Sequence, residues 1–294
     1  MIPKEVIRKI RRIQITTSRK VTDVFAGKYQ SVFKGAGMEF DEVRNYNPGD
    51  EIRSIDWNVT ARMGHPFVKK FVEERELTIM ILLDVSMSEK YGTSGKLKSE
   101  LAAELCSVIA FSATQNNDKV GMITFTDRVE RFIPPKKGLR HVLRVIREGL
   151  YNNPRGKGTN IKNVLEHLNR VSTRRTITFL ISDFIDEGYG KTLAIINKRH
   201  DVIAVSISDP SETALPRSGM VRFEDAETGK VFVVDTFSGE ARDHYRKSAA
   251  KFIKERSIIF RDAGVDSVDV YTNGSYVEPL IRFFRKRKKR MAVR

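Results

Sequence analysis

Short, nearly unbroken runs of apolar residues mark the strands that this sequence predicts. Runs at 77–83, 177–181 and 202–207 have the composition of strands that are buried on both faces of a parallel sheet. Two further runs, 120–125 and 129–133, flank a polar turn and predict a β-hairpin. Together these runs supply the core of a sheet.

Apolar residues at helical spacing occupy much of the chain between and after these runs. The helical segments are 97–113, 139–150, 161–171, 193–196 and 241–263, and further short strands are expected at 220–223, 231–234 and 268–271. Because strands and helices alternate, we predict an α/β fold with a doubly wound, mostly parallel sheet over residues 75–275.

The two ends of the chain form separate units in this prediction. Residues 1–74 hold a basic segment followed by an irregular module, and residues 276–294 form a basic helix and tail. The pattern at 65–72 predicts a strand that leads into the first buried run. The small amino-terminal module is expected to pack against the α/β domain.

The first buried strand ends in three oxygen-bearing side chains, Asp84, Ser86 and Ser88. In an open α/β sheet, ligands bind beyond the carboxyl ends of the strands, so the triplet lies where such folds bind ligands. Carboxylate and hydroxyl oxygens suit hard cations such as Mg²⁺ or Mn²⁺. A polar turn between a strand and a helix explains the triplet alone equally well.

Two later loops add oxygen ligands in the same position relative to the sheet. Thr159 follows a glycine just before a helical pattern, and Asp183 follows the buried strand at 177–181. With Asp84, Ser86 and Ser88 they resemble the metal-ion-dependent adhesion site of the von Willebrand factor A domain. That family's pattern is Asp-x-Ser-x-Ser, then a threonine on a second loop, then an aspartate on a third.

This resemblance implies a divalent-metal site with one coordination position open to a carboxylate of a protein partner. Ser86, Ser88 and Thr159 are implied as direct ligands, and Asp84 and Asp183 as ligands that act directly or through water. Mg²⁺ is the ion implied first, with Mn²⁺ or Ca²⁺ as alternatives.

A second motif precedes the α/β domain. From the residues alone, the acids and arginines of this stretch are expected to pair with each other and hold an irregular module together. Pro48-Gly49 predicts a turn, and Asp50 is expected to cap the segment after it.

The same stretch resembles the signature of the domain of unknown function 58 family, in which it precedes a von Willebrand factor A-like domain. The matching residues are Gly35, Gly37, Glu39, Phe40, Arg44, Tyr46, Pro48, Gly49, Asp50, Arg53, Ile55, Asp56, Trp57, Ala61 and Arg62. The resemblance implies that the protein works with a MoxR-type AAA ATPase. We expect Arg44, Trp57 and Arg62 to contribute to a partner-binding surface.

The net charge of +16 is concentrated at the two ends of the chain, with +6 in residues 1–20 and +8 in residues 282–294. Such ends suit an anionic membrane surface, an acidic partner or, less well, nucleic acid, and they also occur as solvated charge runs. Phe283 and Phe284 among these basic residues weakly favour a membrane. One cysteine, no signal peptide and no membrane-spanning apolar run predict a cytoplasmic protein, with peripheral membrane contact as an option.

These observations favour a non-enzymatic, protein-binding adaptor. Its metal would take an aspartate or glutamate of a partner in the assembly or maturation of protein complexes. The alternatives are a basic protein held on a membrane or nucleic acid, and a metal-dependent hydrolase with Ser86 as nucleophile or the metal as Lewis acid. The hydrolase is disfavoured because the sequence has no nucleophile elbow, no nearby histidine base and no nucleotide-binding loop.

Overall fold

The computed structural model describes residues 39–72, 76–225 and 229–292. The basic residues 1–20 and the signature residues Gly35 and Gly37 lie outside this part of the chain. Among the described helices, none combines the length and apolar character that crossing a bilayer requires.

The elements follow one another largely as the apolar pattern predicts. The strands are β1 (Glu39–Asn45), β2 (Phe67–Val72), β3 (Thr78–Asp84), β4 (Lys119–Phe125), β5 (Val129–Lys136), β6 (Ile177–Ser182), β7 (Asp201–Ser208), β8 (Met220–Glu224), β9 (Val231–Asp235) and β10 (Asp266–Tyr271). The helices are α1 (Trp57–Met63), α2 (Lys98–Gln115), α3 (Leu139–Leu150), α4 (Ile161–Val171), α5 (Gly190–Arg199), α6 (Gly239–Asp262) and α7 (Val277–Ala292). Short 3₁₀ turns occur at Ile52–Ser54, Met87–Lys90 and Pro210–Glu212.

A six-stranded sheet forms the centre of the fold, in the order β10-β7-β6-β3-β4-β5. All neighbouring strands are parallel except β4 and β5, which form the predicted hairpin. The chain enters this sheet at β3, continues outward through β4 to β5, and then returns to the other side of β3 to add β6, β7 and β10. If these six strands are numbered 1 to 6 in chain order, the order across the sheet from β5 is 3-2-1-4-5-6, which is the doubly wound arrangement. The predicted doubly wound, mostly parallel α/β fold is therefore confirmed.

Strand β3 is buried on both faces, which explains its unbroken apolar sequence. Ile79, Ile81 and Leu83 face one core cluster, which includes apolar side chains of α2, α3 and α7. Met80 and Leu82 face the other, which includes side chains of α4, α5 and α6. Because successive side chains of a strand point to opposite faces, both sets of positions must be apolar.

Two small antiparallel sheets accompany the central one. Strands β1 and β2 pair from Glu39 with Val72 to Asn45 with Phe67, so the strand predicted at 65–72 belongs to the amino-terminal module and not to the central sheet. Strands β8 and β9 form the second predicted hairpin.

Helix α7 packs its apolar face onto the central sheet. Leu280, Phe283 and Phe284 belong to the same core cluster as β3, and Phe283 and Phe284 are only 8% and 1% exposed. Neither aromatic ring is available to a membrane surface, so the weak argument for membrane contact from these residues fails.

Part of the basic carboxy-terminal end is bound to the fold by ion pairs. Arg287 pairs with Asp201 and, at 3.4 Å, with Asp266, while Arg290 also pairs with Asp266. The two aspartates are the first residues of β7 and β10. Because the Arg287 side chain is only 14% exposed, these contacts contribute more than a solvated surface pair would.

We predict that Arg287→Ala lowers the free energy of unfolding by about 1–3 kcal/mol, because it removes the cation that Asp201 contacts and one of the two that Asp266 contacts. Arg285→Ala, at an exposed position of the same helix, should change it by less than about 0.5 kcal/mol. Urea unfolding of both variants measures the difference. Equal effects of the two substitutions would contradict a structural role for Arg287.

Candidate metal centre

The carboxyl ends of β3 and β6 meet at the edge of the sheet where the predicted ligands gather. The two strands are parallel neighbours, and Leu83 pairs with Ile181. The next residues of each strand, Asp84 and Ser182, are therefore adjacent although they lie far apart in the sequence. The carboxyl edge beside the reversal of strand order is where doubly wound sheets bind ligands.

Asp84 is the centre of a hydrogen-bonded cluster at this edge. Its Oδ1 accepts the backbone N–H of Ser86 at 3.0 Å, and its Oδ2 accepts the hydroxyls of Ser182 at 2.6 Å and Thr159 at 3.5 Å. The hydroxyls of Ser86 and Ser88 lie 3.0 Å apart. The structure thus links four of the five predicted ligands by hydrogen bonds, and the fifth, Asp183, lies beside them.

The loop that carries Thr159 is held in place by a hydrogen-bonded network. One oxygen of Glu130, Oε1, accepts the Thr126 hydroxyl at 2.8 Å and the backbone N–H groups of Arg155 and Gly156 at 3.0 and 2.7 Å. Burial acts to raise the pKa of Glu130, but these hydrogen bonds outweigh it and leave that pKa below its ordinary value. A charged carboxylate therefore fixes the loop.

A backbone hydrogen bond joins this loop to the serine segment. The N–H of Met87 donates to the carbonyl of Lys157 at 3.0 Å. Because Met87 lies between Ser86 and Ser88, a shift of the Thr159 loop moves the serine hydroxyls as well. The loops after β3 and before α4 consequently form one unit.

Asp183, the fifth predicted ligand, lies beside Asp84 but is engaged by other partners. Its Oδ1 accepts the backbone N–H of Ile185 at 3.1 Å, and its Oδ2 accepts the ammonium of Lys98 at 2.8 Å. Lys98, the first residue of α2, is 1% exposed and also donates to Glu212 at 2.7 Å. Burial alone would lower the pKa of Lys98, but Asp183, Glu89 and Glu212 raise it above its ordinary value.

Glu89 is a member of the cluster that the sequence pattern does not reveal. It lies in the 3₁₀ turn Met87–Lys90 and is 1% exposed, and within the described residues neither of its carboxyl oxygens has a hydrogen-bond partner. Carboxyl oxygens of Glu89, Asp84 and Asp183 all lie within 4.8 Å of one another. The one available signal is its position directly after Ser88, and an acidic residue there is ordinarily expected to face solvent.

The electrostatics of the cluster indicate a shortage of positive charge. Burial, and then the charge of Asp183, raise the pKa of Asp84 to about 7, although hydrogen bonds from Ser182 and Ser86 oppose the shift. Burial and the charges of Asp183 and Asp84 raise the pKa of Glu89 well above its ordinary value. Asp84 and Glu89 therefore hold their protons to a higher pH than ordinary carboxyl groups do, and a cation bound beside them would oppose this shift.

The residues present fit a hard divalent cation. Every candidate donor is a carboxylate or hydroxyl oxygen, the ligand type of Mg²⁺, Mn²⁺ and Ca²⁺. Glu89 supplies two buried oxygens that lack a partner among the described residues, and an ion would satisfy them. Asp84, Glu89 and Asp183 form the buried inner side of this centre, Ser88 and Thr159 form the outer side, and the buried Ser86 lies between them. Ser88 and Thr159 are partly exposed, so the centre opens on that side.

The residues predicted for a second partner-binding surface lie in the amino-terminal module. Arg44 makes a bidentate ion pair with Asp50, in which its two terminal nitrogens lie 2.7 and 2.8 Å from the carboxylate oxygens. The expected internal pairing of acids and arginines is therefore present. Asp50 also accepts the N–H of Asn47, while Asp56, and not Asp50, caps α1. Trp57 is 65% exposed, and Arg62 is exposed as well.

Comparison with known proteins gives a family and several similar chains. The family described as protein of unknown function DUF58 matches residues 42–255. The uncharacterized protein Mb1516 of Mycobacterium bovis is 29% identical over 286 residues, which are 95% of this chain and 89% of that protein. Two solved structures each have a TM-score of 0.48 and 20% identity. The conserved hypothetical protein BatB of Bacteroides thetaiotaomicron covers 72% of this chain and 99% of its own, and an aerotolerance-related membrane protein of Bacteroides fragilis covers 73% and 100%.

We predict that Asp84→Asn stabilises the metal-free protein at pH 8 by about 1–3 kcal/mol. The folded-state pKa of Asp84, about 7, exceeds the ordinary 3.8. The protonated carboxyl therefore contributes stability that is present below about pH 4 and is lost as the pH rises through about 7. The asparagine removes this loss and should flatten the pH dependence between those values.

Denaturant unfolding over a pH range from about 4.5 to about 8, in the presence of a chelator, tests this prediction. Asp262→Asn, a substitution at an exposed carboxylate, serves as the control and should leave the profile unchanged. An Asp84→Asn protein that is less stable than the wild type at the upper end of this range would contradict the prediction, because it would show that the ionised Asp84 carboxylate does not destabilise the fold.

We also predict that Gly156→Ala weakens metal binding at least about tenfold and costs about 1–3 kcal/mol of stability. An added Cβ would lie 1.8 Å from Asp127 Oδ1 and 2.1 Å from Thr126 Oγ1, so the Thr159 loop must move. Gly239→Ala, where a Cβ meets nothing within 4 Å, is the control. Mg²⁺ titration calorimetry measures the affinity, and urea unfolding measures the stability. Unchanged Mg²⁺ affinity in Gly156→Ala would show that the position of the Thr159 loop does not affect metal binding.

Proposed function

This chain belongs to the DUF58 protein family, and we propose that it is a non-enzymatic adaptor whose metal centre binds a carboxylate of a protein partner. The observation that carries the proposal is Glu89, a buried carboxyl group that faces Asp84 and Asp183 and has no hydrogen-bond partner within the described residues. Such a group is costly to bury unless a cation accompanies it. A divalent ion held there would have the partner's carboxylate as an additional ligand.

The buried side of the centre suits the binding of an ion, and the partly exposed side suits the approach of a partner's carboxylate. The inner acids would hold the ion, since Asp84, Glu89 and Asp183 are all buried. The outer hydroxyls of Ser88 and Thr159 are partly exposed, so a partner's aspartate or glutamate would approach from their side. An oxygen-only donor set leaves Mg²⁺ as the first choice, with Mn²⁺ or Ca²⁺ compatible.

The environment of Ser86 supports binding over catalysis. A nucleophilic serine has to meet its substrate, whereas Ser86 is 0% exposed and its hydroxyl lies 3.0 Å from that of Ser88. Its position suits a metal ligand that lies between Ser88 on the solvent side and Asp84 on the inner side. We therefore assign Ser86 to the metal and not to covalent chemistry.

A MoxR-type AAA ATPase is the partner that we propose. The support is the amino-terminal signature, whose described residues form a separate module with Arg44 paired to Asp50. In this module Trp57 and Arg62 are exposed, and exposed tryptophan and arginine are common anchors of protein interfaces. The module would then supply a second contact beside the metal centre, in the assembly or maturation of protein complexes.

The expected behaviour is metal-dependent capture of the purified MoxR-type ATPase from the same organism. With Mg²⁺ present, Asp84→Ala and Ser86→Ala should each weaken the affinity at least about tenfold, or about 1.4 kcal/mol. A chelator should have the same effect on the wild type. Ser257→Ala, at an exposed hydroxyl on α6, should bind like the wild type. Immobilised wild-type and variant proteins in a surface-binding assay provide the affinities.

Two results would redirect the proposal. Binding that is insensitive to both substitutions and to the chelator would exclude the metal as the docking point. Loss of that binding in Trp57→Ala would then assign it to the amino-terminal module. Turnover of a substrate that Ser86→Ala abolishes while binding persists would instead establish an enzyme.

A further inference from the structure

Lys98 occupies a position that the metal-site pattern does not account for. Its side chain is 1% exposed, and its ammonium lies 2.8 Å from Asp183 Oδ2. A buried lysine is rare unless it is paired. Here it provides a cation of the chain's own, in contact with one of the carboxylates that would take part in metal binding.

The contacts of Asp183 place this ammonium in competition with an ion. The Oδ1 atom is already bonded to the N–H of Ile185, and Oδ2 is bonded to Lys98. A carboxylate oxygen has two lone pairs, but an ion bound to Asp183 next to the ammonium would place two cations close together in a buried site, where they repel strongly. Direct binding of an ion to Asp183 therefore favours departure of the ammonium from Oδ2. The backbone N–H, by contrast, is fixed by the turn after β6.

Glu212 offers the displaced ammonium a second carboxylate. Its Oε1 lies 2.7 Å from Lys98 Nζ, and its Oε2 accepts the N–H of Asp209 at 3.1 Å. The second bond, part of the capping of the turn Pro210–Glu212, holds Glu212 in place. Lys98 can therefore lose Asp183 without becoming an unpaired buried charge, which would be costly.

We propose that Lys98 is the resident cation of this centre and that a divalent ion displaces it from Asp183 onto Glu212. Lys98 thereby sets the concentration at which the ion binds. This inference rests on the metal centre of the proposed function and adds its control element. It makes Lys98 a positioning residue, because it acts on the ion through Asp183.

The displacement mechanism predicts opposite changes in Mg²⁺ affinity when Lys98 and its ion-pair partner Glu212 are each substituted. Lys98→Met removes the competitor, so the dissociation constant for Mg²⁺ should fall at least about tenfold. Glu212→Gln removes the acceptor for the displaced ammonium, so the same constant should rise at least about threefold. Glu212 is partly exposed, and this variant keeps the inference testable if Lys98→Met does not fold.

Arg256→Met is the matched control. Arg256 is also a buried cation next to Asp183, at 4% exposure, but it donates to the backbone carbonyl of Asp183 at 3.4 Å and to the Asp269 carboxylate. It does not compete for Oδ2, so its removal should change the Mg²⁺ dissociation constant less than about twofold. A tightening equal to that in Lys98→Met would mean that only the general electric field matters, which overturns the displacement mechanism.

Mg²⁺ titration calorimetry on the full chain, with folding checked by circular dichroism, provides the measurement. A folded Lys98→Met protein with unchanged or weaker Mg²⁺ affinity overturns the inference, and so does unchanged or tighter binding by Glu212→Gln. If partner capture remains Mg²⁺-dependent in that case, the proposed function stands and only the role of Lys98 falls. A wild-type protein that binds no Mg²⁺ would overturn both.

Discussion

Three carboxyl groups are buried together at the carboxyl edge of the central sheet, and one lysine accompanies them. Asp84, Glu89 and Asp183 are each at most 2% exposed, so water screens their repulsion poorly. The surrounding hydrogen bonds from Ser182, the serine segment and the Thr159 loop satisfy Asp84, while Glu89 has no hydrogen-bond partner within the described residues. A cation bound among these carboxyl groups would satisfy Glu89, and this is the basis of the proposed metal centre.

The central sheet was predictable because its signal is local and strong. Each buried strand is a short apolar run, and β3 has this pattern because both of its faces lie in core clusters. The shared edge location of Asp84, Ser86, Ser88, Thr159 and Asp183 was also predictable, since each lies just after a strand or just before a helix. Such positions are set by the alternation of strands and helices alone.

Glu89 and Lys98 were not predictable in this way. Charged residues in a turn and at the start of a helix are ordinarily solvated, and the burial of Lys98 results from contacts with Asp183 and Glu212, which lie far along the chain. The same limit applies to Phe283 and Phe284, whose basic neighbours suggested a surface. Their burial depends on how α7 packs onto the sheet, a tertiary contact that no local pattern contains.

The parallel pairing of β3 with β6 has a consequence for how the protein forms. The Asp84 carboxylate and the Ser182 hydroxyl that it accepts are separated by 98 positions, and β4, β5 and the helices α2, α3 and α4 lie between them. Contacts of such long range carry a large loop-closure entropy cost and slow folding. During synthesis the acid of β3 emerges well before the strand that completes its surroundings. An ion bound at the proposed centre would therefore stabilise the chain only after the central sheet has assembled.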